Sequence, residues 1–136
     1  ARTLWWQAFH QKMDGFLYWG LNIWDRRNND RVIDQERDGP FLDFSISFGG
    51  DHDWLHGDGV LLYPGHDGPI GSIRLANIRS GLEDYELLWQ LAAKTGDGEA
   101  ARAACEPVTT ALDRFTNDPD TLSRRRAEIL SRLELR

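Results

Sequence analysis

The fold is decided by one continuous stretch, which reads GDGVLLYPG (57–65), HDGPIGSI (66–73) and RLANIRSGLEDYELLW (74–89). Residues 60–63 form a short apolar run between Gly59 and a Pro-Gly pair, which predicts a buried strand. From Ile73 onward the apolar residues recur with the period of a helix, and charged residues occupy the opposite stripe. The stretch therefore predicts a βα unit. Its loop at residues 63–74 leaves the carboxyl end of the strand, where α/β folds place their chemistry.

A second βα unit is indicated at the start of the chain. Residues 3–13 carry apolar side chains at helical spacing, and we expect this helix to stop at Asp14-Gly15, where glycine tolerates a left-handed backbone. Phe16 to Trp24 is then rich in aromatic and aliphatic residues, which is typical of a buried parallel strand.

The long connection at residues 25–58 loses all apolar periodicity. A connection of this length without regular structure is usually a lid, a binding loop or a disordered segment. An apolar island at residues 41–48 predicts a short strand or hairpin arm inside it.

The C-terminal part is predicted to be helical. Gly96-Asp97-Gly98 breaks the central helix, and residues 99–115 return to helical spacing with Pro107 expected to kink or divide the segment. A turn at residues 117–120 precedes a last helix that Asp120 or Thr121 can cap. We expect two domains: closing βα units at 1–95 and a helical hairpin at 96–136 that packs on the central helix.

Composition limits the classes of partner. The chain has 136 residues, of which 40% are hydrophobic and 28% charged, with a net charge of −6. This charge argues against nucleic-acid and membrane partners, because phosphate binding needs clustered Lys and Arg. No apolar run reaches the roughly 20 residues of a membrane span, and the single Cys105 leaves the compartment open. Because the chain starts without Met, inside a predicted helix, we expect it to be a piece of a longer protein, called the parent protein below.

Two predicted strands cannot form a stable parallel sheet alone. Each is apolar on both faces, so each needs helices on one side and further strands or a barrel interior on the other. We therefore expect the remainder of the sheet to come from other chains or from a larger α/β domain of the parent protein.

Four ordered segments carry a family resemblance, namely Trp6-Gln7, GFLYWGLNIW (15–24), GDGVLLYPG (57–65) and SIRLANIRSGLEDYELL (72–88). Together they resemble the C-terminal part of the catalytic region of bacterial family 123 glycoside hydrolases. The resemblance covers residues 4–91. It implies the C-terminal portion of a (β/α)8 TIM-type barrel, with the last two barrel strands and the last barrel helix, followed here by the helical hairpin.

The resemblance also implies an activity, which is removal of N-acetylhexosamine, notably β-linked N-acetylgalactosamine, by substrate-assisted retaining hydrolysis. In that chemistry an Asp orients the acetamido group of the substrate as nucleophile and an adjacent Glu protonates the leaving oxygen. No segment here matches the strand that carries this pair in the family. We therefore expect no catalytic residue in this chain, and no activity from the chain alone.

The adjacent acids Glu83 and Asp84 have the wrong order and setting for that pair. They lie more than two turns into the predicted helix, away from the strand ends where a barrel opens its active site. Arg79 lies four residues before Glu83, at the spacing of a helical ion pair. We predict a structural role for both acids.

Candidate substrate-binding residues lie at the predicted strand ends, because sugars bind to aromatic faces that are flanked by polar groups. These candidates are Trp19, Asn22, Trp24, Asp25, Tyr63 and Arg74. Two alternatives stay open: Trp19 or Tyr63 fills the barrel interior, and Arg74 anchors the loop by hydrogen bonds to carbonyl groups.

A weaker pattern sets His52 and His56 four residues apart beside carboxylates, which on a helix would direct two imidazoles at one metal ion. Flanking glycine pairs make a helix unfavourable, and only His66-Asp67 offers a further ligand. We therefore predict a solvated loop, with no metal and no cofactor.

Three functions compete at this point. The first is a glycosidase piece that lines the sugar subsite, whose partners are the glycan substrate and the remainder of the barrel, from the same or another chain. The second is a non-catalytic carbohydrate-binding or interaction domain of barrel origin, which the fold alone does not exclude. The third is a metal-dependent hydrolase that uses His52 and His56.

Overall fold

The computed structural model describes residues 1–22, 59–63 and 65–134. Its elements are α1 (Thr3–His10), β1 (Leu62–Tyr63), β2 (Ile70–Gly71), α2 (Ile73–Thr95), α3 (Gly98–Ala103), β3 (Thr109–Ala111), β4 (Arg114–Phe115) and α4 (Pro119–Glu134). The chain divides into two compact units, residues 1–16 with 77–136 and residues 17–76. The predicted excursion at 25–58 lies outside the described residues. No helix in the described ranges qualifies as a membrane span.

The first helix, α1, ends earlier than the sequence predicts. It stops at His10, and Lys12 adopts the left-handed backbone with φ of 58°. The N–H of Met13 then donates to the carbonyl of Ala8 at 2.8 Å, and the N–H of Lys12 donates to that of Phe9 at 3.2 Å. These two bonds form a Schellman motif, which satisfies the last carbonyls of the helix without the glycine that the prediction used.

The central helix, α2, confirms its prediction. It begins at Ile73 and continues to Thr95, where Gly96 takes a φ of 66° that ends it. Asp97 then caps α3, because its side chain accepts from the N–H groups of Glu99 at 2.9 Å and Ala100 at 3.1 Å. The predicted break at residues 96–98 is therefore confirmed, with an N-cap at its centre.

The core of the first unit combines the four described helices with the chain that joins α3 to β3. Its buried side chains are Trp6, Phe9, Leu88, Leu91, Ala101, Cys105, Val108, Leu122 and Ile129. Burial raises the pKa of the Cys105 thiol to about 12, so this side chain is a neutral packing group. Five of these nine residues lie beyond Leu91, so the C-terminal segment completes the core that α1 and α2 begin.

Close packing of α1 on α2 depends on Gly81. A Cβ atom at this position would lie 2.1 Å from Cδ1 of Trp5 and 2.9 Å from the carbonyl oxygen of Arg2. Glycine in a helix interior costs about 1 kcal/mol relative to alanine. Here the missing side chain lets the Trp5 ring lie against the α2 backbone.

The long helix predicted for residues 99–115 is wrong beyond Ala103. The chain instead turns at residues 104–108 and forms the antiparallel pair of β3 and β4. Pro107 removes a helical donor, and the β-branched run from Val108 to Thr110 favours extended backbone, so both effects oppose the apolar helical spacing. The predicted helical hairpin is thus two helices, α3 and α4, that flank a short β-hairpin.

The last helix is capped by Asp118, two residues before Asp120 and three before Thr121. Asp118 accepts hydrogen bonds from the hydroxyl of Thr121 at 2.5 Å and from its N–H at 3.0 Å, which places Pro119 in the first helical position. Proline is favoured there because its missing N–H would have no partner in any case. These bonds lower the pKa of the Asp118 carboxyl, the side-chain bond contributing most.

The described part of the second unit contains less strand than predicted. Residues 16–22 form no strand, and Leu17 is 89% exposed. Asn22 makes an isolated antiparallel bridge with Val60, and the N–H groups of Leu61 and Leu62 donate to the carbonyl of Leu21 at 2.8 and 3.0 Å. A parallel ladder needs neighbouring strands, and the described residues supply none to this segment. The barrel portion and the division at residues 95 and 96 therefore stay predictions.

Candidate functional site

The site predicted between residues 63 and 74 begins with a β-hairpin. In the register of β1 and β2, Leu62 pairs with Gly71 and Tyr63 with Ile70. Antiparallel strands joined by a short loop explain why the apolar run ends at Tyr63. Tyr63 is the last residue of β1, and it is half-buried.

The hairpin loop folds back closely on itself at Gly65. A Cβ atom here would lie 2.4 Å from the carbonyl oxygen of Gly68 and 2.9 Å from Cγ1 of Ile70. Real Cβ contacts are not this short, so only glycine fits without a backbone shift. The sequence analysis used Gly65 only as a sign that the strand ends. In the structure, Gly65 allows the loop to close beside Tyr63.

The start of α2 is held against the same hairpin by Ser72. Its N–H donates to the carbonyl of Leu61 at 3.0 Å, and its hydroxyl accepts from the N–H of Leu75 at 3.2 Å. Ser72 is buried and acts as the N-cap of α2. The first turn of the helix, which carries Arg74, is therefore fixed next to β1.

Arg74 and Tyr63 meet through their side chains. Nη1 of Arg74 donates a hydrogen bond to the hydroxyl oxygen of Tyr63 at 3.2 Å, and both side chains are half-buried. Two residues predicted from separate ends of the loop thus form one polar group.

The other candidates in the described part of the second unit are Trp19 and Asn22. Trp19 is 47% exposed, so about half of its surface is open, and Asn22 is exposed beside its bridge to Val60. Sequence reasoning missed Tyr18, whose hydroxyl accepts from the N–H of Gly59 at 2.7 Å. This bond joins two of the four segments of the resemblance, although no spacing in the sequence indicates it.

The candidates Trp24 and Asp25 lie outside the described residues. The second unit therefore supplies a half-exposed indole, an exposed amide and a tyrosine hydroxyl that accepts from a guanidinium. These are the group types that bind a hydroxyl-rich ligand, with an apolar surface for ring C–H groups and polar groups that fix orientation.

A model of the glycoside hydrolase 123 catalytic domain matches residues 1–91. The chain belongs to glycoside hydrolase family 123. The match covers the segments on which the sequence resemblance rested, and it includes α1, the hairpin of β1 and β2, and most of α2. A search of curated proteins finds no significant match to the chain.

Within this family 123 chain, the histidine pattern gains no metal partner from the described residues. His66 and Asp67 form a hydrogen bond of 2.8 Å, yet both side chains are over 95% exposed (97% and 96%). Among residues 1–22, 59–63 and 65–134, no group of three potential ligands can hold a metal ion. His52 and His56 lie outside these ranges.

The acidic pair of the family 123 chain has the structural role that its setting predicts. The Asp84 side chain is fully buried and accepts four hydrogen bonds. Arg2 donates through Nε at 2.6 Å and Nη2 at 3.1 Å, Trp6 through Nε1 at 2.9 Å, and Arg126 through Nη1 at 2.7 Å. A carboxylate saturated in this way joins α2 to α1, to the residue before α1 and to α4.

Glu83 lies beside this cluster and is more exposed. It accepts from Arg79 at 3.2 Å, the predicted ion pair at i and i+4, and from Arg126 at 3.3 Å. Arg79 is an exposed residue, so its pair with Glu83 contributes little to stability, whereas Arg126 is 30% exposed and also binds the buried Asp84. The sequence signalled the Arg79 contact through its spacing, whereas Arg126 is far away in the chain and carried no such signal.

Proposed function

We propose that this chain forms the C-terminal part of a family 123 catalytic barrel that removes β-linked N-acetylgalactosamine, and that it lines the sugar subsite. Family membership supports glycoside hydrolysis. The observation that carries the role of this chain is the bond from Arg74 to Tyr63, because it joins two predicted substrate-binding residues at the carboxyl end of β1. Trp19 and Asn22 supply the further surface that a sugar needs.

The proposed reaction divides the work between this chain and the rest of the parent protein. An Asp of the parent orients the acetamido group, whose carbonyl oxygen attacks the anomeric carbon while an adjacent Glu protonates the departing oxygen. Water then opens the resulting bicyclic oxazolinium intermediate, with retention at the anomeric carbon. No Asp-Glu dipeptide occurs in this chain. Its own residues therefore bind the ring, orient it and exclude water.

The test is hydrolysis of an aryl N-acetyl-β-galactosaminide by the parent protein. We expect turnover with retention of anomeric configuration, which nuclear magnetic resonance of the first-formed sugar shows, and a lower kcat/KM for the epimeric N-acetylglucosaminide. The isolated chain should give no turnover. Hydrolysis by the isolated chain, or inversion by the parent protein, would contradict the proposal.

A second candidate is a non-catalytic carbohydrate-binding domain, which the half-exposed Trp19 and the exposed Asn22 would serve equally well. The same experiment separates the two, because a binding domain would take up N-acetylgalactosamine in calorimetry and show no hydrolysis in the parent protein. In that case the aromatic and polar groups keep their binding role, and the catalytic proposal fails.

A further inference from the structure

We infer that Tyr18 is a positioning residue of the proposed sugar subsite. Its hydroxyl holds the segment that carries Trp19 and Asn22 against the segment that ends at Tyr63. This inference rests on the proposed function, and it adds a residue that no spacing in the sequence indicates. It starts from one hydrogen bond between a side chain and the backbone.

That hydrogen bond is made at Gly59, directly before the buried residues Val60 and Leu61. Gly59 is itself buried, and its φ of 74° lies in the left-handed region that favours glycine. A buried N–H needs an acceptor. The hydroxyl oxygen of Tyr18 accepts from the N–H of Gly59 at 2.7 Å, so this side chain helps to fix the turn that precedes β1.

Backbone hydrogen bonds join the same two segments a few residues further along. The carbonyl of Leu21 accepts from the N–H groups of Leu61 at 2.8 Å and Leu62 at 3.0 Å. The first segment is thus attached to the second at two points, one through the Tyr18 side chain and one through the backbone. Trp19 lies between these two points in the chain.

The two attachments set the spacing of the candidate sugar contacts. Trp19 directly follows Tyr18, and Tyr63 directly follows Leu62, so each candidate is next in the chain to a bonded residue. A binding surface whose parts are held in place before the ligand arrives loses less entropy on binding. Removing the Tyr18 hydroxyl should therefore weaken sugar binding, whereas the chemical step, which the rest of the parent protein supplies, should continue.

The experiment compares Tyr18→Phe with the unchanged parent protein on an aryl N-acetyl-β-galactosaminide. The phenyl ring keeps the packing of the side chain and removes the acceptor for Gly59. We expect KM to rise about threefold to tenfold, which corresponds to about 0.7–1.4 kcal/mol, with kcat within about twofold of the original value. The dissociation constant of N-acetylgalactosamine in calorimetry should rise by the same factor.

Tyr85→Phe is the matched control. The hydroxyl of Tyr85 donates to the carbonyl of Met13 at 3.4 Å in the first unit, so the same substitution removes a bond to the backbone outside the proposed subsite. It should leave KM unchanged. A purely structural role of Tyr18 has a different signature, since loss of folded enzyme lowers the apparent kcat and leaves KM as it was.

Hydrogen exchange of the unchanged parent protein carries the test if Tyr18→Phe does not fold. Saturating N-acetylgalactosamine should slow exchange at the Gly59 amide about threefold or more, because a ligand that binds the positioned form stabilises that form. The Thr109 amide of the first unit donates to the carbonyl of Cys105 at 2.8 Å and is the reference, which should slow less. Exchange at Gly59 that the sugar leaves unchanged would contradict the inference.

The outcomes separate this inference from the proposed function. An unchanged KM in Tyr18→Phe, or a fall in kcat alone, would overturn the inference while the function stands. A parent protein that binds the sugar without hydrolysing the aryl glycoside would contradict the proposed catalysis, and the dissociation constant alone would then decide the role of Tyr18. A parent protein that neither binds nor hydrolyses overturns both.

Discussion

Replacing Asp84 with alanine removes the acceptor for four hydrogen bonds at once. Trp6 is fully buried, so its Nε1–H loses its partner without access to water, at a cost of about 1–3 kcal/mol. Arg2 and Arg126 keep 20% and 30% of their side-chain surface exposed, so water partly replaces the carboxylate for them. Breaking such a buried pair by removing one partner typically costs about 3–5 kcal/mol. We expect Asp84→Ala to lower the free energy of unfolding by about 3–5 kcal/mol.

That loss is large relative to the roughly 5–15 kcal/mol that stabilises a typical domain. The assay is equilibrium unfolding of the chain in urea, followed by far-ultraviolet circular dichroism. Asp84→Asn keeps the shape of the side chain and one carbonyl oxygen, so its free energy of unfolding should fall by less than that of Asp84→Ala. Glu83→Gln changes the neighbouring exposed acid and should stay within about 0.5 kcal/mol of the original chain.

A cycle with Trp6→Phe tests the reasoning directly. Because the phenyl ring has no N–H to leave unsatisfied, part of the Asp84→Ala penalty should disappear in this background. If Asp84→Ala costs less than about 1 kcal/mol, the carboxylate behaves as a surface ion pair. The account of Asp84 as the connection between α1, α2 and α4 would then be refuted.

Three further predictions concern single positions. Gly81→Ala should destabilise the chain by about 1–3 kcal/mol in a urea titration, because the new Cβ overlaps Trp5. Gly98→Ala is the control. A Cβ at Gly98 has nothing within 4 Å, so this variant should not destabilise the chain. Hydrogen bonds from Thr121 lower the pKa of Asp118. Its contribution to the stability of the folded chain is therefore present above the ordinary Asp pKa and is lost as pH falls through the folded pKa. Asp118→Asn should keep the cap and flatten this part of the dependence of melting temperature on pH; an unchanged acid profile would contradict the assignment. Cys105, buried with a pKa raised to about 12, should react with a disulfide reagent only as fast as the chain unfolds, and rapid labelling in native buffer would contradict that burial.

The elements that local patterns decide were predictable from the sequence. Helix α2 extends over 23 residues as its helical period predicts, and its break at residues 96–98 carries glycine and a capping Asp, so period and capping agree. Residues 99–115 show the opposite case. Helical spacing and β-branched residues disagree there, and hydrogen bonds from Thr3 to Thr116 and from Gln7 to Leu112 join this region to α1.

The site was also predictable only in part, because local patterns indicate some of its contacts and not others. Tyr63 and Arg74 lie at opposite ends of a loop, so their proximity followed from strand, loop and helix order. The partners of Asp84 come from residues 2, 6 and 126, which no local pattern connects. Such long-range contacts depend on how helices pack, and a single sequence does not encode that packing as a spacing.

The most direct test of the central claim is a substituent series on the acetamido group of the substrate. The parent protein is given aryl β-galactosaminides whose N-acyl group is acetyl, fluoroacetyl, difluoroacetyl or trifluoroacetyl. Each fluorine withdraws electron density from the carbonyl oxygen that is proposed to attack the anomeric carbon. We expect kcat/KM to fall steadily along the series. Turnover that does not change along the series would indicate a nucleophile from the protein, and no turnover of the acetyl substrate would contradict the claim that this family 123 chain serves N-acetylgalactosamine hydrolysis.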